Sequence, residues 1–259
     1  MKTTEELLTT LLGYLAEKFK NQLVLKGGML LRLLNSPRST QDLDYGWVPT
    51  KSREILAEEL RESLEKLEGI KIDDIQINSR GIFLTITEIE RSLKAKVEIS
   101  VTESFHLPPK PLSTAPLANL YSLKTQIVAT MDLAEAFSQK IAASLERDLL
   151  RDLYDVTQME PLTFFDKATL TDRFSRLQIG RARPISVSFQ EASRMLKEKM
   201  ERITAERVGN ELAQTVPMEQ LTGLETLIRA SVSRVIQRLE LVPEKIGRAR
   251  RDSNARPSP

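Results

Sequence analysis

The sequence has no cysteine and only one histidine, His106, in 259 residues. Without cysteine, neither a disulfide framework nor a thiolate metal site can form. A single histidine, close to Pro108 and Pro109, also argues against a zinc site and against a serine–histidine–aspartate triad. Any metal in this protein must therefore be held by oxygen atoms, which suit Mg²⁺ or Mn²⁺.

Long hydrophobic runs are also missing, since no stretch approaches the roughly 20 apolar residues of a membrane span. The first residues enter an amphipathic pattern instead of the apolar core of a signal peptide, so we expect a cytoplasmic protein with no membrane partner. Hydrophobic residues at 41% and charged residues at 29% are typical of a globular protein.

The chain also lacks a strong charge of one sign, because its net charge is +2. Residues 246–259 contain four arginines and one acidic residue, so the rest is close to neutral. Residues 247–259 have no periodic apolar positions and are predicted to be a disordered basic tail. One interpretation is an arm that grips RNA. The other, which we favour, is translation into a tRNA gene, because Asp252-Ser253-Asn254 matches its T-loop consensus read on the opposite strand.

The amino-terminal half combines helical and strand-like patterns. Apolar residues at helical spacing predict helices over 3–20 and 52–67. A short apolar strand at 22–25 leads into two glycines and a helix over 29–34. Period-two alternation predicts strands over four further segments, 41–47, 70–77, 81–88 and 95–102.

The carboxy-terminal half is predicted to be helical. Four prolines between residues 106 and 116 indicate a hinge between domains. Helical patterns follow over six segments, 131–148, 149–158, 168–177, 187–206, 207–214 and 217–240. The sequence therefore predicts an α+β fold, in which a mixed sheet with flanking helices precedes a helical carboxy-terminal domain. The predicted domains are 1–115 and 116–246.

The segment Asp42-Leu43-Asp44 points to a metal site. Residues i and i+2 of a strand share one face, so Asp42 and Asp44 project together while Leu43 faces the core. Two adjacent carboxylates repel each other unless a cation lies between them. Paired divalent ions held in this way serve in-line phosphoryl transfer. An acidic strand end without metal is the simpler alternative for these two residues in isolation.

The glycines that precede this strand add a second feature. Gly27 and Gly28 lie between an apolar strand and a helix, about fourteen residues before Asp42. Glycine allows close approach of the backbone to a ligand, and the amides at a helix start attract phosphate. The alternative is a tight turn with no ligand.

A third carboxylate is expected on the polar face of a neighbouring strand. In the run 96–101, Val97, Ile99 and Val101 face inward, so Glu98 faces the site. Glu98 is our candidate, and a solvated strand residue is the alternative.

Three strings of the sequence resemble motifs of the AbiEii-type nucleotidyltransferase toxins. These belong to the DNA polymerase β-like nucleotidyltransferase superfamily and occur in bacterial and archaeal toxin–antitoxin systems. The strings are Lys26-Gly27-Gly28-Met29-Leu30 with Arg38-Ser39-Thr40-Gln41-Asp42-Leu43-Asp44-Tyr45, then Lys96-Val97-Glu98-Ile99, and finally Glu135, Lys140-Ile141-Ala142-Ala143, Arg147 and Arg151-Asp152-Leu153-Tyr154-Asp155. The resemblance covers about residues 20 to 160. Two positions depart from the family pattern: Glu98 stands where Asp is frequent, and Met29 replaces a small polar residue.

The third string also has a physical interpretation of its own. If residues 140–155 formed one continuous helix, Lys140, Arg147, Arg151 and Asp155 would lie within about 80° of one another. Such a stripe of cations suits a nucleoside triphosphate or the phosphates of RNA. The alternative is a solvated helix face with ordinary pairs such as Arg151–Asp155.

Together these features predict a metal-dependent nucleotidyltransferase of toxin–antitoxin type, with residues 1–115 as the nucleotidyltransferase domain. It would transfer NMP from an NTP to an acceptor hydroxyl, with Mg²⁺ or Mn²⁺ as cofactor. The predicted catalytic residues are Asp42, Asp44, Glu98, Lys140 and Asp155, of which the first three are also the predicted metal ligands. The predicted nucleotide-binding residues are Lys26, Gly27, Gly28, Thr40, Arg147 and Arg151.

The resemblance implies that the acceptor is the 3′ end of tRNA and that the protein has a cognate antitoxin. Two alternatives stay open at this point. One is a nucleotidyltransferase that modifies a small molecule or a protein side chain. The other is a member of the fold that binds a nucleotide or a partner without catalysis.

Overall fold

The computed structural model describes residues 1–180 and 183–243, and the predicted tail at 247–259 lies outside these residues. The strands are β1 (Val24–Lys26), β2 (Asp42–Trp47), β3 (Ile70–Asn78), β4 (Gly81–Glu88), β5 (Leu93–Val101), β6 (Lys110–Ser113) and β7 (Ile127–Thr130). The α-helices are α1 (Thr4–Phe19), α2 (Gly27–Leu33), α3 (Arg53–Leu64), α4 (Ala115–Ala118), α5 (Leu133–Glu146), α6 (Leu150–Met159), α7 (Lys167–Ser175), α8 (Phe189–Glu201), α9 (Ala205–Leu212) and α10 (Leu224–Glu240).

All seven strands form one mixed sheet in the order β3-β4-β5-β2-β1-β7-β6. The pairs β2–β5 and β1–β7 are parallel, and the other neighbours are antiparallel. The predicted mixed sheet with flanking helices is thus confirmed. β6 and β7 had been missed, and β6 occupies part of the segment predicted as a hinge. Pro111 is accommodated there because β6 is an edge strand.

The sheet is built from residues on both sides of the predicted domain boundary at residue 115. β7 lies beyond that boundary and pairs directly with β1, where Leu25 is opposite Thr130. The division into domains at 1–115 and 116–246 itself remains a prediction. The strands closest to the predicted site, β1, β2 and β5, lie at the centre of the sheet.

One face of the central strands is apolar and buried, and the other is polar. Leu43, Tyr45 and Trp47 of β2 are buried, as the alternation predicted. α1 packs against β2, β5 and β7. Its buried leucines, Leu7, Leu8, Leu11, Leu12 and Leu15, form one apolar cluster with the buried side chains of these strands. Because α1 covers the apolar face, the opposite, polar face of β2 and β5 is available for a site.

The helices of the carboxy-terminal half lie against the other side of that site. α5 packs against α6 and α7, and α10 packs against α8 and α6. Glu160, directly after α6, is buried and binds Arg234 and Arg238 of α10. None of the helices in the described ranges has the length and hydrophobicity that a membrane crossing requires.

α5 and α6 are separate helices, so residues 140–155 do not form the one continuous helix that a single stripe of cations would require. α5 ends at Glu146, and Arg147 has extended backbone with φ −123° and ψ 148°. Neighbouring helices stabilise the corner between α5 and α6, formed by residues 147–149. Lys199 of α8 donates to the Arg147 carbonyl oxygen at 2.7 Å. Arg207 of α9 donates to the Asp148 carbonyl oxygen at 3.2 Å. The two helices had been predicted separately, over 131–148 and 149–158.

Candidate active site

A polar cleft of about 530 Å³ lies between the polar face of β2 and β5 and the helices α5, α6 and α7. Every site residue predicted from the sequence lines this cleft. These residues are Lys26, Gly27, Gly28, Thr40, Asp42, Asp44, Glu98, Lys140, Arg147, Arg151 and Asp155. The fold therefore brings together residues from three distant segments of the chain. Their individual roles remain predictions.

The register of three strands aligns a lysine and two carboxylates in one row. Asp44 of β2 is opposite Lys26 of β1 and also opposite Glu98 of β5. Neighbouring strands lie about 4.8 Å apart, so these side chains are immediate neighbours. Lys26 Nζ donates to the Ser100 hydroxyl at 3.3 Å. The carboxylates of Asp44 and Glu98 have no hydrogen-bond partner among the described side chains.

Burial and charge both disfavour ionisation of Asp44. The pKa of Asp44 is raised to about 6, chiefly by burial and then by the Asp42 carboxylate, and more weakly by Glu98. Burial also lowers the pKa of Lys26, and Arg173 and Lys140 act in the same direction. A cation bound beside Asp44 would relieve this repulsion between carboxylates.

The carboxylates that could contact a divalent ion are those of Asp42 and Asp44, with Glu98 beside them. Across residues 1–180 and 183–243, no three carboxylate or histidine side chains stand close enough together to hold a metal ion. The Asp42 carboxylate instead accepts hydrogen bonds from the Thr40 hydroxyl at 3.2 Å and the Gln41 amide at 3.1 Å. The carboxylate oxygens of Asp42 and Asp44 and their mutual repulsion suit Mg²⁺ or Mn²⁺, and all three metal ligands, Glu98 included, remain predictions.

Gly27 is required because the Asp44 carboxylate approaches its α-carbon closely. A Cβ atom at this position would lie 2.0 Å from Asp44 Oδ2, and the φ of +71° also favours glycine. A Cβ atom on Gly28 would lie 2.8 Å from the Thr40 hydroxyl oxygen and 3.1 Å from Arg38 Nη2. The double glycine therefore allows three site side chains to pack against the start of α2, which begins two residues earlier than predicted.

Two buried aspartates of α6 bind three of the basic side chains of the cleft. Asp155, 1% exposed, accepts from Lys140 Nζ at 2.6 Å and from Arg38 Nε at 2.9 Å. Asp152 accepts from Arg147 Nη2 at 2.8 Å. The pair Arg151–Asp155, considered as an alternative, does not form. Arg151 is exposed and makes no ion pair with any residue that the structure describes.

Several residues of the cleft were not predicted from the sequence. Arg38 was part of the first motif string, but its partner Asp155 is 117 positions away and only the tertiary fold brings them together. Arg173 of α7 lies outside all three strings, and its Nη2 donates to both carboxylate oxygens of Glu146 at 2.9 Å. A pattern of local spacing cannot identify contacts of this kind.

Comparison with known proteins agrees with the resemblance seen in the motif strings. The family model described as nucleotidyl transferase AbiEii toxin, type IV toxin–antitoxin system, matches residues 10–234. JHP933 from Helicobacter pylori has a similar structure, with a TM-score of 0.56, 14% identity and coverage of 92% of this chain and 92% of that chain. MenT4, a nucleotidyltransferase toxin from Mycobacterium tuberculosis H37Rv, has a TM-score of 0.56, 19% identity and coverage of 91% and 86%. A search of curated proteins found no match.

Proposed function

Because this chain belongs to the AbiEii family of nucleotidyltransferase toxins from type IV toxin–antitoxin systems, we propose a specific reaction for its cleft. The reaction is metal-dependent transfer of NMP from an NTP to the 3′ hydroxyl of a tRNA. Family membership already implies a nucleotidyltransferase with an NTP substrate and an antitoxin partner. The proposal rests mainly on one observation: Asp42 and Asp44 share the polar face of β2, across the cleft from Lys140 and Arg147.

The reaction exchanges one phosphorus–oxygen bond for another. The acceptor hydroxyl oxygen bonds to the α-phosphorus of the NTP, the bond to the β-phosphate oxygen breaks, and pyrophosphate leaves. The acceptor proton must pass to a base. Glu98 is our candidate, because its half-buried carboxylate lines the cleft and has no hydrogen-bond partner among the described side chains.

Asp42 and Asp44, with Glu98, would hold the divalent ion. When bound, Mg²⁺ or Mn²⁺ would offset negative charge on the phosphate oxygens. Asp44 is partly accessible in the cleft and makes no hydrogen bond to a described side chain, so its oxygens can serve as ligands. Asp42 would exchange its hydrogen bond from Thr40 for this role.

The basic residues of the cleft would bind the triphosphate. Lys140 and Arg147 would stabilise the charge that develops as pyrophosphate leaves, together with Lys26 and the backbone amides of Gly27 and Gly28. Asp155 already binds Lys140 and Arg38, so its proposed role is to position these two cations.

The acceptor is proposed to enter past the exposed end of the cleft. Arg151 is exposed there and makes no ion pair with a described residue, so it is available to the phosphates of an RNA. The 3′ hydroxyl of a tRNA would then reach the row formed by Asp44 and Glu98.

Incubation of the full chain with total tRNA, Mg²⁺ and each labelled NTP tests this proposal. We expect the wild type to label tRNA only when the divalent ion is present. Asp44→Ala should abolish labelling while the protein remains folded, as judged by circular dichroism. Asp73→Ala, which removes an exposed carboxylate of the edge strand β3, is the matched control and should keep full activity. Full labelling by Asp44→Ala would refute the site, and label found only on protein or small molecules would refute tRNA as acceptor.

A further inference from the structure

The wall of the cleft formed by α7 carries a cation that none of the motif strings contains. Arg173 lines the cleft together with Glu146, the last residue of α5. Its Nη2 donates to both oxygens of the Glu146 carboxylate at 2.9 Å. Its Nη1 has no hydrogen-bond partner among the described residues, so the guanidinium group retains donors for a second anion.

Charges in the cleft are balanced before any ligand enters. Six basic side chains line it: Lys26, Arg38, Lys140, Arg147, Arg151 and Arg173. Six acidic side chains line it as well: Asp42, Asp44, Glu98, Glu146, Asp152 and Asp155. A triphosphate brings several further negative charges, and Arg38, Lys140, Arg147 and Arg173 can contribute to its binding only by leaving or sharing the carboxylates that they now contact.

The pair Arg173–Glu146 is the one that can exchange its partner most easily. Asp152 and Asp155 are each 1% exposed, so withdrawing either Arg147 or Arg38 would leave a carboxylate that water cannot solvate dependent on Lys140, which contacts both aspartates. Glu146 is 17% exposed and Arg173 is 35% exposed. Water can therefore solvate the Glu146 carboxylate when Arg173 turns to another anion, which lowers the cost of the exchange.

We propose that Arg173 is a phosphate-binding residue. When a nucleoside triphosphate enters the cleft, Arg173 releases Glu146 and binds the terminal phosphates of the nucleotide. This inference rests on the proposed function, and it assigns to α7 a part of the substrate site. Guanidinium groups bind phosphate oxygens through two parallel, charge-assisted hydrogen bonds. Glu146 serves as the partner that holds the guanidinium group in the cleft while no nucleotide is bound.

Titration calorimetry with a non-hydrolysable α,β-methylene NTP and Mg²⁺ tests the proposal on the full chain. Arg173→Gln should raise Kd at least about tenfold, because it removes a charge-assisted contact. Arg176→Gln is the matched control: Arg176 directly follows α7, is exposed, and pairs with Asp172 outside the cleft. It should bind like the wild type.

Glu146→Gln separates a phosphate-binding role from a purely structural one. If Glu146 competes with the phosphates for Arg173, its neutralisation should lower Kd by about threefold or more. If the pair only joins α5 to α7, the same substitution should weaken binding. Arg173→Lys keeps the positive charge but lacks the two parallel donors of the guanidinium group, so it should give an intermediate Kd. This variant provides the test if Arg173→Gln does not fold.

The outcomes distinguish this inference from the function on which it rests. A wild type that binds and an Arg173→Gln variant that binds equally well would overturn the role of Arg173 alone. Weaker binding by Glu146→Gln would overturn it as well. A wild type that binds no nucleotide would overturn the proposed function and the role of Arg173 with it.

Discussion

Asp44 is the residue at which stability and proposed function conflict most directly. Its pKa rises from 3.8 to about 6 in the folded protein, chiefly through burial and then through the Asp42 carboxylate. Between these two values the folded state binds more protons than the unfolded state. The free energy of unfolding therefore falls as pH increases from about 4 to about 6 and stays lower at neutral pH.

Asp44→Asn should consequently stabilise the protein at pH 7 while it removes activity. The shift in pKa corresponds to roughly 1–3 kcal/mol in the free energy of unfolding. The gain should shrink as pH is lowered toward 4, because the wild-type carboxyl group is then neutral as well. Urea unfolding at several pH values measures this dependence. A variant less stable than the wild type at pH 7 would contradict it.

Gly27 is the second residue whose local geometry gives a clear prediction. Gly27→Ala would place a Cβ atom 2.0 Å from Asp44 Oδ2 and would force alanine to a φ of +71°. We expect transfer activity to be lost and the free energy of unfolding to fall by roughly 2–4 kcal/mol.

Gly69→Ala separates the two causes. Gly69 has a φ of +75°, and a Cβ atom there would meet nothing within 4 Å. This control should show the backbone cost of roughly 1–2 kcal/mol and keep its activity. Equal loss of activity in both variants would argue against the close approach of Asp44 as the reason for the glycine.

At the scale of elements, one cluster joins the loop before β2 to the helices α5 and α6. Arg38 comes from the loop, Lys140 from α5 and Asp155 from α6, and both cations bind the same buried carboxylate. The corner between the two helices allows this contact, since Lys199 and Arg207 fix the carbonyl oxygens of residues 147 and 148.

Asp155→Asn should leave two cations without their shared anionic partner. We expect the free energy of unfolding to fall by about 3–5 kcal/mol, as for other buried pairs that lose one member. Arg38→Met combined with Asp155→Asn should cost less than the two single effects together, because the residues interact directly. Urea unfolding of the four proteins measures the coupling, and strict additivity would show that the contact contributes nothing.

Elements with strong periodicity were predictable from the sequence, and short elements were not. β3, β4 and β5 match the predicted strands within about two residues because each alternates over eight or nine positions. β6 and β7 have four residues each, and partners in the sheet rather than local pattern define them. The residues of the motif strings were found, but Arg38 and Arg173 owe their place in the cleft to tertiary contacts.

At the scale of the whole molecule, the cleft exists because the sheet and the helical half face each other. The sheet contributes the carboxylates of β2 and β5, and the segment from α5 to α7 contributes four of the six cations. The motif strings indicated which residues meet, and the fold explains how segments more than a hundred positions apart reach the same site.

Mn²⁺ binding, measured by electron paramagnetic resonance, tests most directly whether Asp42 and Asp44 hold a divalent ion. The wild type should bind Mn²⁺, and Asp42→Asn and Asp44→Asn should each weaken binding at least about tenfold, because each removes a charged ligand. Glu103→Gln, an exposed carboxylate outside the cleft, should bind like the wild type. Unchanged Mn²⁺ affinity in both aspartate variants would contradict a metal site on β2.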